Sequence, residues 1–260
     1  MIPRLALAGA AVALVAAAGT ADLSAAQRKP APIKPLVLRE NCISQAERRR
    51  AVRFTTFDRV RLIGVELGSG PRAVILAHQG GGGEGPWLCA WMRYARVLAL
   101  QGYRALAFDH RGFGSSGGTS NWARARRVDF DVLAAIKVMR ARGANQFVLA
   151  GASLGGAAVL SGAALAPAQI SGVISFASPQ IFGRIDALKA SRALRVPALF
   201  ISADEDAPFP EDARALYDAC ASPDKQIAIV PGTVHGAPVL RDPATRALVD
   251  GWIRDHFEVP

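Results

Sequence analysis

The sequence predicts an α/β fold, a mostly parallel sheet of about eight strands with helices on both faces and little or no cap domain. Three observations carry that expectation. Short apolar runs alternate with stretches of helical periodicity from residue 52 to the end of the chain, and strands separated in this way by helices pack as a parallel sheet covered on both sides. Several runs, such as Ala73 to Ala77 and Phe147 to Ala150, are apolar throughout, as strands buried on both faces are. A chain of 260 residues, 51% of them hydrophobic, is long enough to fill one core of that size.

The elements follow in order. Residues 1–26 stand apart, with Arg4 ahead of an uncharged apolar run from Leu5 to Ala18 and the small residues Ser24, Ala25 and Ala26 behind it. That is the pattern of a secretory signal peptide. The alternative, a membrane anchor, is disfavoured because the run is shorter than the roughly 20 residues that cross a bilayer. Export to the periplasm or the medium, without stable membrane insertion after cleavage, is therefore expected. Residues 27–41 carry Pro30, Pro32 and Pro35 among lysines and read as an extended linker, so the compact domain is expected to span 42–260.

Within it, residues 52–57 and 60–66 read as an antiparallel pair, and 73–77 as a buried strand. Trp87, Trp91, Tyr94 and Leu98 recur at helical spacing, and 104–108 is the next strand. Val128, Val132, Ile136 and Met139 mark one face of a helix. A strand at 147–150, a small-residue helix at 154–166, strands at 172–176, 198–202 and 227–230, and a helix at 246–257 complete the pattern. The roughly 20 residues between the strands ending near Phe176 and beginning near Ala198 leave room for one short helix, so the site is expected to be open.

Charge and cysteines bound the function. The formal net charge is +10, which permits loose association with acidic surfaces. The basic residues are scattered, however, and neither Arg48–Arg50 nor Arg124–Arg127 is interleaved with aromatics, so no nucleic-acid partner is expected. The sequence gives no metal or cofactor motif. Cys42, Cys89 and Cys220 are three cysteines, which cannot all pair within one chain. Cys89 falls on the outward side of its helix, leaving two readings: a Cys42–Cys89 disulfide, or three buried thiols.

The chemistry centres on Gly151-Ala152-Ser153-Leu154-Gly155, which a strand enters and a helix leaves. That is the context a G-x-S-x-G turn requires. Glycines two positions either side of Ser153 relieve the crowding of so sharp a turn, and the helix that starts there points its amides and positive dipole end at the site. A serine hydroxyl needs a neighbouring base, and the base an acid to orient it. Of the four histidines, His235 follows the last strand in Pro231-Gly232-Thr233-Val234-His235-Gly236 and is the expected base. The acid is expected from Asp204-Glu205-Asp206, with Asp206 preferred because Ala207-Pro208-Phe209-Pro210 fixes the turn behind it. The backbone amide of Leu154, with that of Gln79 or Gly80 in the glycine-rich loop His78 to Gly83, would stabilise a developing oxyanion.

These motifs resemble the α/β-hydrolase superfamily over roughly residues 50–258. Gly151 to Gly155 is similar to the family's nucleophile elbow and His78 to Gly81 to its histidine-glycine oxyanion loop. Asp109-His110-Arg111-Gly112-Phe113-Gly114-Ser115 resembles its aspartate-arginine-glycine turn, with His110 inserted. Ala203 to Asp206 looks like its acid loop with alanine for glycine, and His235-Gly236 like its final histidine-glycine. The resemblance implies the α/β-hydrolase fold, the triad Ser153, Asp206 and His235, and hydrolysis through an acyl-enzyme. The expected substrate is a small ester or other acyl compound, and the expected activity that of a carboxylic ester hydrolase. Glu84, Trp87 and Trp122 lie near the predicted mouth and are candidates for shaping specificity. Rival readings are a noncatalytic binding protein on the same fold, a hydrolase of amides or peptides, and a dinucleotide-binding oxidoreductase. The last rests on the G-x-G-x-x-G spelled by residues 112–117, which lacks the helix that should open inside it.

Overall fold

The computed structural model describes residues 35–80, 87–119, 127–166, 168 and 170–257. Contacts divide the chain into Met1–Pro35 and Leu36–Pro260, and apart from Pro35 everything described belongs to the second unit. The expected signal peptide lies outside the described residues.

Strands β1 (Ala51–Thr55), β2 (Arg61–Leu67), β3 (Arg72–Ala77), β4 (Arg104–Asp109), β5 (Gln146–Ala152) and β6 (Ile170–Phe176) join β9 (Ala198–Ala203) and β10 (Lys225–Val230) in one eight-stranded sheet. Its order is β1-β2-β4-β3-β5-β6-β9-β10. β2 runs antiparallel to both neighbours, and every pairing from β4 to β10 is parallel. The helices are α1 (Gln45–Arg48), α2 (Cys89–Leu100), α3 (Val128–Ala141), α4 (Leu154–Leu165), α5 (Ala187–Ala193), α6 (Phe209–Ala219) and α7 (Pro243–Phe257).

Two cores share the sheet, and the period of a strand decides which side chain enters which. Ala73, Ile75 and Ala77 of β3 face α3, α4 and α6, joining Val132, Met139, Leu160 and Leu216. Val74 and Leu76, between them, face α2 and α7, joining Trp91, Leu98, Trp252 and Ile253. A strand buried on both sides needs an apolar residue at every position. That is why β3 and β5 are legible as unbroken apolar runs.

Four features depart from the sequence expectations. Residues 36–41, expected as linker, pack onto the domain: Leu38 and Glu40 are buried, Arg53 Nε donates to the Leu36 carbonyl at 2.7 Å, and the Arg48 guanidinium donates to the carbonyls of Leu38 and Glu40. Arginines thus satisfy an extended backbone that composition alone marked as solvated. The closing helix begins at Pro243 rather than 246, because Asp242 Oδ2 accepts from the Thr245 amide at 2.7 Å and caps it, with proline at the first position. α6 was not expected at all, although Ala213 and Leu216 bury one side of it. Between β6 and β9 the chain makes a small antiparallel hairpin, β7 (Ile181–Phe182) and β8 (Ile185–Asp186), as well as the short helix α5.

Of the two cysteine readings, the pair forms. Cys42 and Cys89 are bonded with Cα atoms 5.8 Å apart, and Cys220 is a buried free thiol. Residues 112–117 form a tight turn closed by Gly112 N–H donating to the Gly117 carbonyl at 2.8 Å. No helix opens in it, since α3 begins at Val128.

Candidate active site

The parallel strands end on one edge, where β3, β5, β9 and β10 deliver His78, Ser153, Asp206 and His235 respectively. In an open α/β sheet this carboxyl edge is where binding and chemistry collect.

Ser153 joins β5 to α4 with φ 50° and ψ −117°, a backbone region that L residues other than glycine rarely occupy. The surroundings hold it there. The Ser153 amide donates to the Phe176 carbonyl at 2.8 Å. A side chain at Gly151 would be driven into the Gly155 carbonyl, and one at Gly155 into the carbonyls of Ala77 and His78. The glycines therefore let the elbow close on itself and press against the end of β3. The Leu154 amide stands in the first turn of α4, among the donors a helix leaves unpaired.

His235 and Asp206 meet: His235 Nδ1 lies 2.7 Å from Asp206 Oδ2. Since a carboxylate accepts, Nδ1–H donates and the other ring nitrogen, Nε2, is left as the acceptor. The imidazole is also held by the ring of Phe209, centroids 4.3 Å apart. Phe209 opens α6 and was not singled out from the sequence, though it stands three residues after the acid. Asp206 is largely enclosed, with 11% of its side chain exposed against 31% for His235. Asp204 and Glu205 are exposed, as expected, but Asp204 has a job: its Oδ1 accepts from the Gly232 amide at 2.8 Å and ties the loop after β9 to the loop after β10.

The histidine loop reaches the serine elbow through Gly236. A Cβ on that residue would lie 3.3 Å from Ala152 Cβ and 3.3 Å from Gln79 Cδ. Three loops thus converge around Ser153. Ser153 Oγ and His235 are not hydrogen-bonded to each other among the described residues; such bonds often tighten only with substrate bound.

His78 fixes the loop that follows β3. Its Nε2 accepts from the His110 amide at 2.9 Å, so Nδ1 carries the proton and donates to the Gln79 carbonyl at 2.8 Å. Complete burial holds the His78 pKa well below its ordinary value, with His110 beside it adding to the effect, and the ring is neutral. Because C=O and the next N–H point opposite ways in a trans peptide, the Gln79 carbonyl turned toward His78 turns the Gly80 amide away from it. Gly81 to Gly83 lie outside the described residues.

Sequence reasoning passed over the support beneath this loop. His110, read as an insertion, is buried, with Nδ1 3.3 Å from Asp131 Oδ2, and Asp131 also accepts from Arg111 Nε at 2.8 Å. Arg111 reaches Asp58 as well, at 2.6 Å. Asp109 accepts from the amides of Leu88 (3.0 Å) and Ser115 (2.9 Å), tying the start of α2 to the turn after β4. Burial pushes its carboxyl well above the usual range. One signal was available: Asp131 lies one position before Val132, on a helix face otherwise given to core residues. Trp87 packs against His78 and Phe113, with centroids at 5.9 and 4.8 Å. Glu84 and Trp122 lie outside the described residues.

Comparison with solved structures decides the fold family. An esterase of Pyrococcus furiosus superposes with a TM-score of 0.65, at 18% identity over 78% of this chain and 88% of that one. The fold is that of the α/β-hydrolases. Within this fold family, a monoacylglycerol lipase of Paleococcus ferrophilus is similar (TM-score 0.60, 20% identity, 75% of this chain and 99% of that one). So is a proline iminopeptidase of Mycobacterium smegmatis (TM-score 0.61, 16% identity, 79% and 98%). The family model described as serine aminopeptidase, S33 matches residues 69–184. That span takes in Ser153 and stops short of Asp206 and His235. No curated protein matches the sequence significantly.

Proposed function

We propose that this α/β-hydrolase is a serine hydrolase that cleaves carboxylic esters through an acyl-enzyme, with Ser153 as nucleophile, His235 as base and Asp206 as the acid that orients it. The observation that carries the reading is the 2.7 Å Asp206–His235 contact on the strand edge that also displays Ser153 in a strained turn. In this reading Ser153 Oγ attacks the acyl carbonyl while its proton passes to His235 Nε2. The imidazolium is stabilised by Asp206, and the negative charge on the carbonyl oxygen by the amides of Leu154 and Gly80. The tetrahedral adduct then expels the alcohol, which takes the proton from His235. Water, activated by the same imidazole, releases the carboxylic acid and frees the serine. Gly80 is preferred to Gln79 as the second donor because the His78–Gln79 hydrogen bond fixes that peptide.

The esterase and lipase neighbours support ester substrates, and short or medium acyl groups are the expected ones. A second reading, cleavage of amides or N-terminal peptide bonds, is favoured by the matching aminopeptidase family and the iminopeptidase neighbour. A panel of p-nitrophenyl esters of increasing acyl length, run beside aminoacyl p-nitroanilides, separates the two. Turnover of short or medium esters is expected, and turnover of the anilides alone would reverse the assignment. A fluorophosphonate probe should label the wild type and not Ser153→Ala; an unlabelled wild type would favour a noncatalytic binding protein.

Export is part of the proposal. The apolar run at residues 5–18 supports it, as does the Cys42–Cys89 disulfide, a bond that persists in oxidising compartments. Recovery of the expressed protein from the periplasm or medium, with an N terminus near Gln27, is the expected result. Recovery of the whole chain from the cytoplasm would contradict it.

A further inference from the structure

A cavity of about 310 Å³ opens between α2, the 3-10 turn Ala237–Arg241 and the first turn of α7. Ser153, Asp206 and His235 do not line it. One part of its wall is apolar, formed by Val97, Ala237, Pro238 and Leu240 with the ring of Tyr94. The charged part has one sign only: Arg93 comes from α2, Arg241 from the 3-10 turn and Arg246 from α7, and no carboxylate lines the space.

Elsewhere in this protein arginines that pack against the fold find acids, as Arg96 does with Glu47, Arg111 with Asp131 and Arg142 with Glu66, or backbone carbonyls, as Arg48, Arg50 and Arg53 do. Among the described residues the guanidinium groups of Arg93, Arg241 and Arg246 have no such partner. The nearby acids are committed to other groups. Asp250 accepts from the Tyr94 hydroxyl at 2.6 Å and from Gln101 Nε2 at 3.0 Å, while Asp242 caps α7 through Thr245. Three unpaired guanidinium groups around one cavity are complementary to a carboxylate or phosphate, which the planar fork of arginine binds in two-pronged fashion. The apolar wall requires that the anion carry a hydrocarbon part, and the volume, at the lower end of the range for ligand pockets, limits its size.

We propose that this cavity binds a small amphiphilic carboxylate, a short- to medium-chain organic acid whose head group meets Arg93, Arg241 and Arg246 and whose tail lies against Val97, Pro238 and Leu240. The site is separate from the one assigned to catalysis and does not depend on that assignment. It touches Ala237 and Pro238, the second and third residues after His235, so its occupant braces the segment on which the histidine loop is mounted.

Calorimetric titration of the full chain with sodium octanoate tests this, with octan-1-ol and inorganic phosphate as probes of tail and charge alone. One saturable octanoate site is expected, with both other probes weaker by about tenfold or more, the factor a lost charge-assisted hydrogen bond carries. Arg241→Glu, a change at an exposed side chain, should weaken octanoate by about tenfold or more with the circular dichroism spectrum unchanged. Replacing all three arginines by glutamine should weaken it further. The proposal fails if octanoate shows no saturable binding, if the arginine variants bind it as the wild type does, or if octan-1-ol or phosphate binds as tightly as octanoate.

Discussion

At the scale of single residues, two carboxylates two positions apart on one loop do different work. Asp206 meets the His235 ring at 2.7 Å, whereas Asp204 accepts from the Gly232 amide at 2.8 Å. If His235 is the base, Asp206→Asn presents the wrong tautomer to the serine and should lower kcat by about 10⁴-fold. Asp204→Ala, which removes the acceptor for the Gly232 amide, should leave kcat nearly unchanged and lower stability by about 1 kcal/mol, the net worth of one hydrogen bond. Ester kinetics and denaturant melts of the two variants check both outcomes, and equal losses of kcat would remove the distinction. The choice between these acids was open in the sequence, where proline-rich context favoured Asp206. Packing of Phe209 against His235 was not legible, since a ring contact between the start of a helix and a separate loop leaves no spacing to read.

At the scale of elements, the segment ahead of β1 is held by a disulfide and an ion pair that both end on α2. The Cys42–Cys89 bond spans 47 residues, and in the chain-entropy model closing such a loop stabilises by about 4 kcal/mol. Thermal or denaturant melts with and without reductant should show a loss of that order, and Cys42→Ser a similar one. Glu47, which caps α1 through Ser44, pairs with Arg96 at 2.7 Å. The Arg96 side chain is the main cause that holds its carboxyl from about 4.5 down to about 2. A carboxyl with a lowered folded pKa contributes stability that is present above the unfolded value and disappears as pH falls through the folded one. Anchoring of residues 36–50 should therefore weaken as pH drops from about 4.5 to about 2. Hydrogen exchange of that segment would read it, and Glu47→Gln should abolish the dependence in that window. Composition marked residues 36–41 as linker, because partners of an extended segment lie far along the chain and no local pattern announces them.

At the scale of the whole molecule, a net charge of +10 acts through the field rather than through any one site. Binding to vesicles of anionic lipid is expected at low ionic strength and should vanish near 0.5 M salt, roughly, where the Debye length is only a few ångströms. Co-sedimentation across a salt series tests it, and binding that survives high salt would point to a specific docking surface instead.

The sequence by itself determined the layered architecture, because strands covered on both faces demand apolar residues at every position and the helices between them show their own period. It also determined the elbow at Ser153, where glycines are required by contacts within a few residues. Tertiary structure alone decided which acid meets His235, which peptide His78 holds, and how Asp131, Arg111 and Asp58 support that loop. Asp206 and His235 lie 29 positions apart, Arg111 and Asp131 20, Arg111 and Asp58 53, and the His78 ring is oriented by the His110 amide 32 positions on, so these partners are chosen by how the strands order themselves across the sheet.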